Sequence, residues 1–568
     1  MKVHFIGIGG IGVSALAQYY LARGEQVSGS DLAFSEITEF LKKLGAQIFT
    51  GPHKAKNIPN NVDLVIYSPA VKPDNPELKK AENLKPEHSN RFECSAEHKR
   101  KSFVLWSNIQ HPPKQNKFAT GQAISNIQIQ SYPEALGELT KKYFTIAISG
   151  THGKSTTTAM LAKILIKAGL DPTIIIGTKL KEFGNSNFRM GRKLFRGVPR
   201  TVPRGSAILL IEADEHFGSF LNYWPKIIVL TNIEEDHLDY YKNLKNILRT
   251  FRKYVSYLPK DGFLVANRDD KNIQRILNPK SKTLISKPKI AEQSSLRGRQ
   301  IPNSKFQIPK IIYYSIKQKE AKKLKQILKV PGEHNVYNAL SALTVARILK
   351  ISDKTSLKAL SGYKGAWRRF EVEELKIVPP QPRRSPATAG SRNMRDGIPQ
   401  ITPTADSAKG GNAGRDPARG GKSCKLKIIS DYAHHPTEIR ATLKAAMEKY
   451  PGKKIWCVYQ PHQYQRTFYL FKDFVEVFAD AIRFNWVDKL ILVEIYDVAG
   501  REEKKIKKKI SSEKLVEVIR AELRKSVKNV LYIKSIGEAE KYLKKNLRGG
   551  EVVIVMGAGD IYKLCEQF

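Results

Sequence analysis

Residues 146–157 combine the residue types that bind phosphate with the spacing that such binding requires. An apolar run ends at Ser149, a short turn with two glycines occupies 150–153, and Lys154 and Ser155 open a helical pattern. The backbone N–H groups of such a turn and the N-terminus of the helix converge on one point and favour an anion there. The lysine could reach the terminal phosphates of a nucleoside triphosphate, and the serine hydroxyl could ligate Mg²⁺. The turn is shorter than the common G-x-x-x-x-G-K-[ST] form, so a glycine turn followed by an unrelated Lys-Ser pair is the alternative.

Acidic residues follow two further strand-like runs. The run 209–211 leads into Glu212–Glu215, and the run 228–230 leads into a polar stretch that reaches His237. The carboxyl ends of parallel strands meet at one edge of a sheet, where a carboxylate could hold the Mg²⁺ of Mg-ATP. The alternative is a pair of acidic surface loops with a structural histidine.

Two polar loops near the C-terminal end of the chain have the same placement. Ser430–Glu438 and Tyr459–Thr467 each follow a predicted strand and precede a predicted helix, and both carry histidine. Polar loops at strand ends are typical of a substrate site in an α/β sheet. Surface loops with chance histidines are the alternative for each of them.

The chain opens with a second glycine-rich turn, Gly7–Gly12, between a predicted strand at Val3–Ile6 and a predicted helix at Val13–Ala22. An acid, Asp31, follows about twenty residues further on, as in the dinucleotide-type fingerprint. In that fingerprint the glycines admit a pyrophosphate and the acid binds a ribose hydroxyl. A later predicted strand ends at Ser68, over the same crevice. Many Rossmann-like units bind other ligands with such a turn, so the ligand stays open at this point.

Alternating strands and helices position these motifs, and they predict an α/β protein with mostly parallel sheets. We expect a Rossmann-like domain at 1–85, a central P-loop ATPase-type domain at 131–366 and a C-terminal Rossmann-like domain at 367–568. Two polar segments interrupt the pattern. Residues 86–130 are expected to be an irregular insertion, and the Pro-, Gly- and Arg-rich residues 379–423 are expected to be a disordered excursion from a β-hairpin.

Composition narrows the class of protein. The 568 residues are 41% hydrophobic, enough for several packed cores. A formal net charge of +43 raises nucleic acid as a partner. The lysines lack the interleaved aromatic residues of a single-strand binding face, however, so we expect no specific nucleic-acid partner.

Apolar runs stay short of the ~18 residues of a membrane span, and the first residues have the pattern of a strand and not that of a signal peptide. The four cysteines have neither disulfide nor zinc spacing, which predicts a cytoplasmic protein.

Taken in their order along the chain, these motifs resemble those of the Mur ligase family. The resemblance covers nearly the whole sequence outside the two insertions and rests on Gly7–Gly12, Gly150–Ser155, Glu212–Glu215, Ser219–Leu221, Thr231–His237, Pro331–Val336, Gly365–Glu371, Asp431–Glu438 and Gln460–Thr467. It implies ATP- and Mg²⁺-dependent ligation of L-alanine to the lactoyl carboxylate of UDP-N-acetylmuramate through an acyl phosphate, a step of peptidoglycan synthesis. Domain closure would then exclude water from the acyl phosphate.

The resemblance also implies roles for individual residues. The UDP moiety would contact Gly9, Gly10, Gly12, Asp31 and Ser68. ATP would contact Gly150, Thr151, His152, Gly153, Lys154, Ser155, Thr156, His334, Asn335, Arg369 and Asp431. Magnesium would be held by Ser155, Glu212 and His237, and L-alanine by Tyr432, His434 and Arg466. The residues nearest the chemistry would be Lys154, Glu212, His237 and Arg369.

Three other functions are weighed against this one. A sister ligase that attaches a preformed tripeptide to the same acceptor would share the nucleotide and metal residues. An NTPase acting on nucleic acid and a non-catalytic homologue with a disturbed hinge are the other two. Many relatives carry arginine at the position of Gln463, so a role of this position in amino-acid binding stays open. Neither insertion removes a motif residue, so we expect an active enzyme, monomeric or weakly dimeric.

Overall fold

A computed structural model describes residues 1–84, 127–191, 206–278, 310–377, 424–497, 504–524 and 528–568. The strands are β1 Lys2–Ile6, β2 Gln26–Asp31, β3 Gln47–Thr50, β4 Leu64–Tyr67, β5 Gln128–Ser131, β6 Phe144–Ser149, β7 Thr173–Leu180, β8 Ser186–Arg189, β9 Ile208–Glu212, β10 Ile227–Leu230, β11 Phe263–Asn267, β12 Ile311–Tyr314, β13 Glu371–Ile377, β14 Cys424–Asp431, β15 Ile455–Tyr459, β16 Lys489–Val493, β17 Val530–Ile533 and β18 Val552–Met556.

The helices alternate with these strands along the chain. They are α1 Ile11–Ala22, α2 Glu36–Lys43, α3 Pro76–Asn83, α4 Tyr132–Lys141, α5 Lys154–Lys167, α6 Leu238–Tyr241, α7 Leu244–Val255, α8 Lys271–Leu277, α9 Lys319–Ile327, α10 Glu333–Ile348, α11 Asp353–Ser361, α12 Pro436–Lys449, α13 Tyr464–Tyr469, α14 Phe471–Arg483, α15 Lys504–Lys507, α16 Ser512–Glu522 and α17 Ile536–Asn546. The chain divides into two compact units, Met1–Arg369 and Phe370–Phe568.

The first sheet has the order β3-β2-β1-β4-β5, with all strands parallel. Strand order reverses between β1 and β4, and ligands of open α/β sheets bind in the crevice at such a point. The turn after β1 and the residues after β2 and β4 therefore face this crevice. The expectation that all of 86–130 is irregular is wrong at its end, because Gln128–Ser131 pairs in parallel with β4. The earlier part of that segment lies outside the described residues.

The second sheet, also in the first unit, has the order β12-β11-β10-β6-β9-β7-β8. It is parallel except for the edge pair β7–β8. All six residues of its central strand β6 are buried, as expected of a strand covered by helices on both faces. Helices α5 and α10 pack against each other beside this sheet, which brings the start of each to the same edge.

The second unit contains the third sheet, with the order β13-β14-β18-β15-β16-β17. β13 and β14 pair antiparallel and the other neighbours are parallel, which confirms the expected hairpin strands on either side of the second insertion. Residues 379–423 themselves lie outside the described part. The α/β class with mostly parallel sheets is confirmed. None of the described helices has the length and apolar character needed to span a membrane.

Candidate active site

The glycine turn 150–153 joins β6 to α5, as the sequence predicts. Gly150 has a φ of +134°, and a Cβ there would lie 2.0 Å from Thr231 Oγ1. The Thr231 hydroxyl donates to the carbonyl of His152 at 2.6 Å. The Asn232 side chain accepts from the N–H of His152 at 2.8 Å and donates to its carbonyl at 3.1 Å. The turn is therefore held by the two residues that follow the neighbouring strand β10.

Lys154 begins α5, and its ammonium group lies inside the turn. Its Nζ donates to the carbonyls of Gly150 at 2.7 Å and Thr151 at 3.1 Å, and to Glu215 Oε2 at 2.8 Å. Burial works against the charge of Lys154, but the carboxylates of Glu215 and Asp214 outweigh it and raise the pKa of the lysine. Lys154 is therefore a fixed cation at the helix N-terminus, where phosphate binds.

The Ser155 hydroxyl donates to Glu212 Oε1 at 2.8 Å. The other oxygen of Glu212 accepts from the N–H of Gly177 at 2.5 Å, so the carboxylate is held at the end of β9. A Cβ on Gly177 would lie 2.8 Å from that oxygen, so a larger residue there would displace the Glu212 carboxylate. Thr156 follows Ser155 and is buried in the first turn of α5. The structure thus joins two of the three predicted metal ligands.

The third predicted ligand, His237, lies beside two other acids. Ligand atoms of Asp214, Glu215 and His237 all lie within 4.8 Å of one another. Among the described residues, the buried Glu215 Oε1 has no hydrogen-bond partner, and it lies 3.9 Å from His237 Nε2. Burial raises the pKa of the Glu215 carboxyl to about 7, with Asp214 adding to the effect and Lys154 opposing it. The ring of His237 stacks on His216, with centroids 4.0 Å apart.

The start of α10 reaches the same turn. Asn335, a predicted ATP contact, donates to the carbonyl of Pro331 at 2.6 Å and accepts from Asn338 Nδ2 at 3.4 Å. Asn338 Oδ1 accepts from the Thr157 hydroxyl of α5 at 3.2 Å. A Cβ on Gly153 would lie 2.4 Å from this Oδ1. The adjacent His334 is half-buried in the first turn of α10.

In the first sheet, the glycine turn after β1 contacts the acid at the end of β2. The N–H of Gly9 donates to Asp31 Oδ2 at 2.8 Å, and a Cβ on Gly9 would lie 2.8 Å from the same oxygen. Gly10 precedes α1 as its N-cap. A Cβ on Gly12 would lie 2.9 Å from the Tyr132 ring. A Cβ on Gly7 would lie 3.0 Å from the Cβ of Ser68. The five predicted UDP contacts therefore lie around one turn.

Arg369 ends the first unit, and its Nη1 donates to the carbonyl of Arg368 at 3.2 Å. Asp431, in the second unit, is buried at the end of β14. Its Oδ2 accepts from the N–H of Phe370 at 2.7 Å and its Oδ1 from the N–H of Ala433 at 2.8 Å. Asp431 thus fixes the backbone directly after Arg369.

Two of the three predicted alanine contacts, Tyr432 and His434, lie side by side in the second unit. The third, Arg466, is connected to them through His462, whose ring centroid lies 6.2 Å from that of His434. The rings of Tyr432 and His434 lie 5.2 Å apart, edge to face. His434 Nδ1 lies 3.2 Å from Glu438 Oε2, which also accepts from its N–H at 3.0 Å. Arg466 is 9% exposed and donates to the carbonyl of His462 at 3.1 Å. Gln463 has a φ of +77°, a strained conformation at the start of α13.

Sequence reasoning missed Asn338 and gave no separate role to Glu215 or Glu438. Asn338 lies in a helix that is buried along most of its length, where Asn335, Asn338 and Ser341 follow one another at three-residue intervals. That spacing of polar residues within an otherwise apolar helix is the signal that could have revealed a buried contact. Glu438 is signalled by its place two residues after Pro436, at the third position of α12, where an acid caps a helix.

A glycine turn of the kind that binds phosphate, with a fixed lysine and a hydroxyl–carboxylate pair on a parallel sheet, is typical of a nucleotide-binding α/β enzyme. Three family models match the chain: Mur ligase family, catalytic domain, at residues 2–102; Mur ligase middle domain at 148–346; and Mur ligase, glutamate ligase domain, at 419–559. The chain belongs to the Mur ligase family, and it is an ATP-dependent ligase.

Curated relatives match over the full length. The UDP-N-acetylmuramate--L-alanine ligase of Clostridium acetobutylicum is 36% identical, with 100% of this chain and 97% of the relative covered. The ligase of the same name from Acetivibrio thermocellus is 34% identical, with 100% and 95% covered. Among solved structures, the UDP-N-acetylmuramate-alanine ligase of Thermotoga maritima matches with a TM-score of 0.61 and 23% identity, over 100% of this chain and 98% of that one. A murein peptide ligase of Psychrobacter arcticus has a TM-score of 0.58 at 19% identity over 100% and 98%. These two structures share the fold.

Proposed function

We propose that the chain joins L-alanine to the lactoyl carboxylate of UDP-N-acetylmuramate and converts ATP to ADP and phosphate. A carboxylate oxygen attacks the γ-phosphorus, the bond to ADP breaks, and an acyl phosphate forms. The amine of alanine attacks the acyl carbon, phosphate leaves, and the nitrogen loses a proton to give the amide. The names of the full-length relatives support alanine as the amino acid.

One observation carries the phosphoryl chemistry. Lys154 is half-buried and charged inside the glycine turn, 2.8 Å from Glu215, at the N-terminus of α5. A fixed ammonium and the helix N-terminus stabilise negative charge that develops on a transferred phosphoryl group without reorganising during the reaction. We therefore assign ATP to the second sheet, with Gly150–Thr156, His334 and Asn335 around it.

The two substrates other than ATP are assigned to the two other sheets. The turn Gly7–Gly12, with Asp31 and Ser68, lies at the switch point of the first sheet and would take the UDP moiety. The second unit, with Tyr432, His434 and Arg466, would take L-alanine, whose carboxylate suits a buried arginine. The proposed domains are accordingly 1–85, 131–366 and 367–568.

The residues beside Lys154 fit a divalent cation. Ser155 and Glu212 offer a hydroxyl and a carboxylate, and Asp214, Glu215 and His237 offer two carboxylates and an imidazole. The buried Glu215 Oε1, which has no hydrogen-bond partner in the described part of the chain, is the kind of atom that a cation would satisfy. Such oxygen-rich sets suit Mg²⁺, which when bound neutralises charge on the phosphates. Glu212 orients the Ser155 hydroxyl, and His216 orients the ring of His237 by stacking.

The proposal is tested by phosphate release from ATP in the presence of UDP-N-acetylmuramate and Mg²⁺, with L-alanine, serine, glycine or the tripeptide added in turn. We expect release that depends on L-alanine, with a matching gain of mass on the sugar nucleotide. Release with the tripeptide alone would assign the chain to the sister ligase, and the absence of release with every acceptor would refute ligation.

Lys154→Met should abolish release, since the charge at the helix N-terminus is lost. Lys163→Met is the matched control, because Lys163 lies on the same helix and pairs with Glu182 at 2.6 Å on the surface. An exposed pair of this kind contributes ~1 kcal/mol or less, so this variant should keep its activity. Equal activity of Lys154→Met and wild type would contradict the assignment of the turn.

A further inference from the structure

A fully buried carboxylate lies next to the glycine turn of the first sheet. Glu77, at the start of α3, is 0% exposed. Its Oε2 accepts from the Ser30 hydroxyl at 2.6 Å and lies 3.2 Å from His4 Nε2. Its Oε1 accepts from Asn57 Nδ2 at 2.7 Å and lies 3.2 Å from His53 Nδ1. The side chain thus joins β1, β2, α3 and the segment after β3.

The groups around Glu77 require a carboxylate. The Ser30 hydroxyl, the Asn57 amide and the N–H of Lys54, at 3.3 Å, all donate to it. Burial opposes the charge, but the hydrogen bonds from His4, His53, Ser30 and Asn57 lower the pKa of Glu77 below its usual value. A glutamine of the same shape would turn an N–H₂ group towards these donors, leaving buried groups unsatisfied.

Ser30 connects this carboxylate to the glycine turn. Its backbone carbonyl accepts from the N–H of Gly7 at 2.8 Å and from the N–H of Ile8 at 3.0 Å. The next residue, Asp31, accepts from the N–H of Gly9 at 2.8 Å. The N–H groups of the turn therefore donate to two consecutive residues at the end of β2. The Ser30 side chain connects that end of β2 to Glu77 through its hydrogen bond.

We propose that Glu77 is a positioning residue for the uridine diphosphate substrate, acting through Ser30 and Asp31 on the glycine turn. The inference rests on the proposed function, because it takes the turn to be the site of the UDP moiety. Glu77 has no direct contact with the substrate in this account. Its removal lets the end of β2 and the turn shift together, which weakens substrate binding and leaves the ATP site in the second sheet intact.

The test is calorimetric titration of the full-length chain with UDP-N-acetylmuramate and, separately, with the non-hydrolysable ATP analogue AMP-PNP. For Glu77→Gln we expect the Kd for UDP-N-acetylmuramate to rise about tenfold, which corresponds to about 1.4 kcal/mol. The Kd for AMP-PNP should stay at the wild-type value. In turnover assays the KM for the sugar nucleotide should rise while kcat at saturation is retained.

Ser30→Ala is the second variant, since it removes one donor and retains the backbone carbonyl that holds the turn; it should raise the same Kd by a smaller factor. Asp63→Asn is the matched control, because the exposed Asp63 accepts from the N–H of Lys2 at 2.6 Å at the opposite end of the same strands. If Glu77→Gln does not fold, the Kd values of Ser30→Ala for UDP-N-acetylmuramate and AMP-PNP test the inference instead. Wild-type affinity for UDP-N-acetylmuramate in the variants, or an equal loss of both ligands, would overturn the inference. Failure of the wild-type chain itself to bind UDP-N-acetylmuramate would instead refute the proposed function.

Discussion

Replacement of Gly153 by alanine tests whether the glycine turn 150–153 needs a residue without a side chain next to Asn338. The residue has a φ of +79°, and a Cβ there would lie 2.4 Å from Asn338 Oδ1. Two separate penalties follow from this geometry. The left-handed conformation costs ~1–2 kcal/mol for a residue with a Cβ. The clash displaces a buried asparagine, and the Thr157 hydroxyl then loses its acceptor at a cost of ~1–3 kcal/mol.

A double-mutant cycle separates the two penalties. The variants are Gly153→Ala, Asn338→Ala and the double variant, and the measured quantity is the Kd for AMP-PNP. In the wild-type background Gly153→Ala should weaken binding by up to ~2–5 kcal/mol, the sum of the two penalties. In the Asn338→Ala background only the backbone part of ~1–2 kcal/mol should remain, since the clashing oxygen is gone.

Thr344→Ala provides the matched control on α10, because the Thr344 hydroxyl donates to the carbonyl of Leu340 within the same helix, at 2.8 Å. It should lower the unfolding temperature slightly and leave the Kd for AMP-PNP unchanged. Strict additivity of the Gly153→Ala and Asn338→Ala effects would refute the reasoning, since it would mean that the asparagine does not restrict the turn. Unchanged affinity in all three variants would refute the placement of ATP there.

Three further predictions concern carboxylates. Glu212→Gln should raise the Mg²⁺ concentration for half-maximal phosphate release about tenfold or more, as measured by titration after chelation, because it alters a proposed metal ligand that accepts from the Ser155 hydroxyl. Asp431→Asn should lower the free energy of unfolding by ~1–3 kcal/mol in denaturant titrations, since an amide N–H₂ would face a backbone donor at Phe370 or Ala433. The lowered pKa of Glu77 means that the folded state binds fewer protons there than the unfolded state, so stability is lost as the pH falls below the unfolded value of 4.5. Glu77→Gln has no carboxylate to protonate at this position, so its free energy of unfolding should fall less steeply with decreasing pH below 4.5 than that of the wild type.

Buried strands were the most predictable part of the fold. The buried strands Ile227–Leu230 and Ile455–Tyr459 have the bounds that their apolar runs predict, and so does the less buried edge strand Val530–Ile533. Parallel strands with both faces covered read as continuous apolar segments, which end sharply at polar loops. Gln128–Ser131 was missed because it is a short edge strand, with a single apolar residue among polar ones, and its sequence resembles that of a loop.

The glycine turns and the acids at the strand ends were also predictable, because each is adjacent in sequence to the strand or helix that positions it. The long-range contacts that hold those turns and acids in place were not predictable. Glu77, His4, Ser30 and His53 are up to 73 residues apart, and each alone has the pattern of an ordinary core or surface residue. Asn338 likewise meets the turn only through the packing of α10 on α5, 181 residues from Thr157. Sequence spacing carries no information on such pairings.

The same construction recurs at the carboxyl edge of each sheet, and it changes how a polar residue after a strand should be interpreted. Asp31 at the end of β2 binds the backbone of the turn after β1. Asn232 after β10 binds the turn after β6, and Asp431 at the end of β14 binds the residue that precedes β13. In each case the partner belongs to the neighbouring strand. Adjacent strands place their loops about 5 Å apart, within reach of a short side chain. Such residues therefore set the shape of the site whether or not they touch a ligand, and their substitution should alter affinity through the loop that they hold.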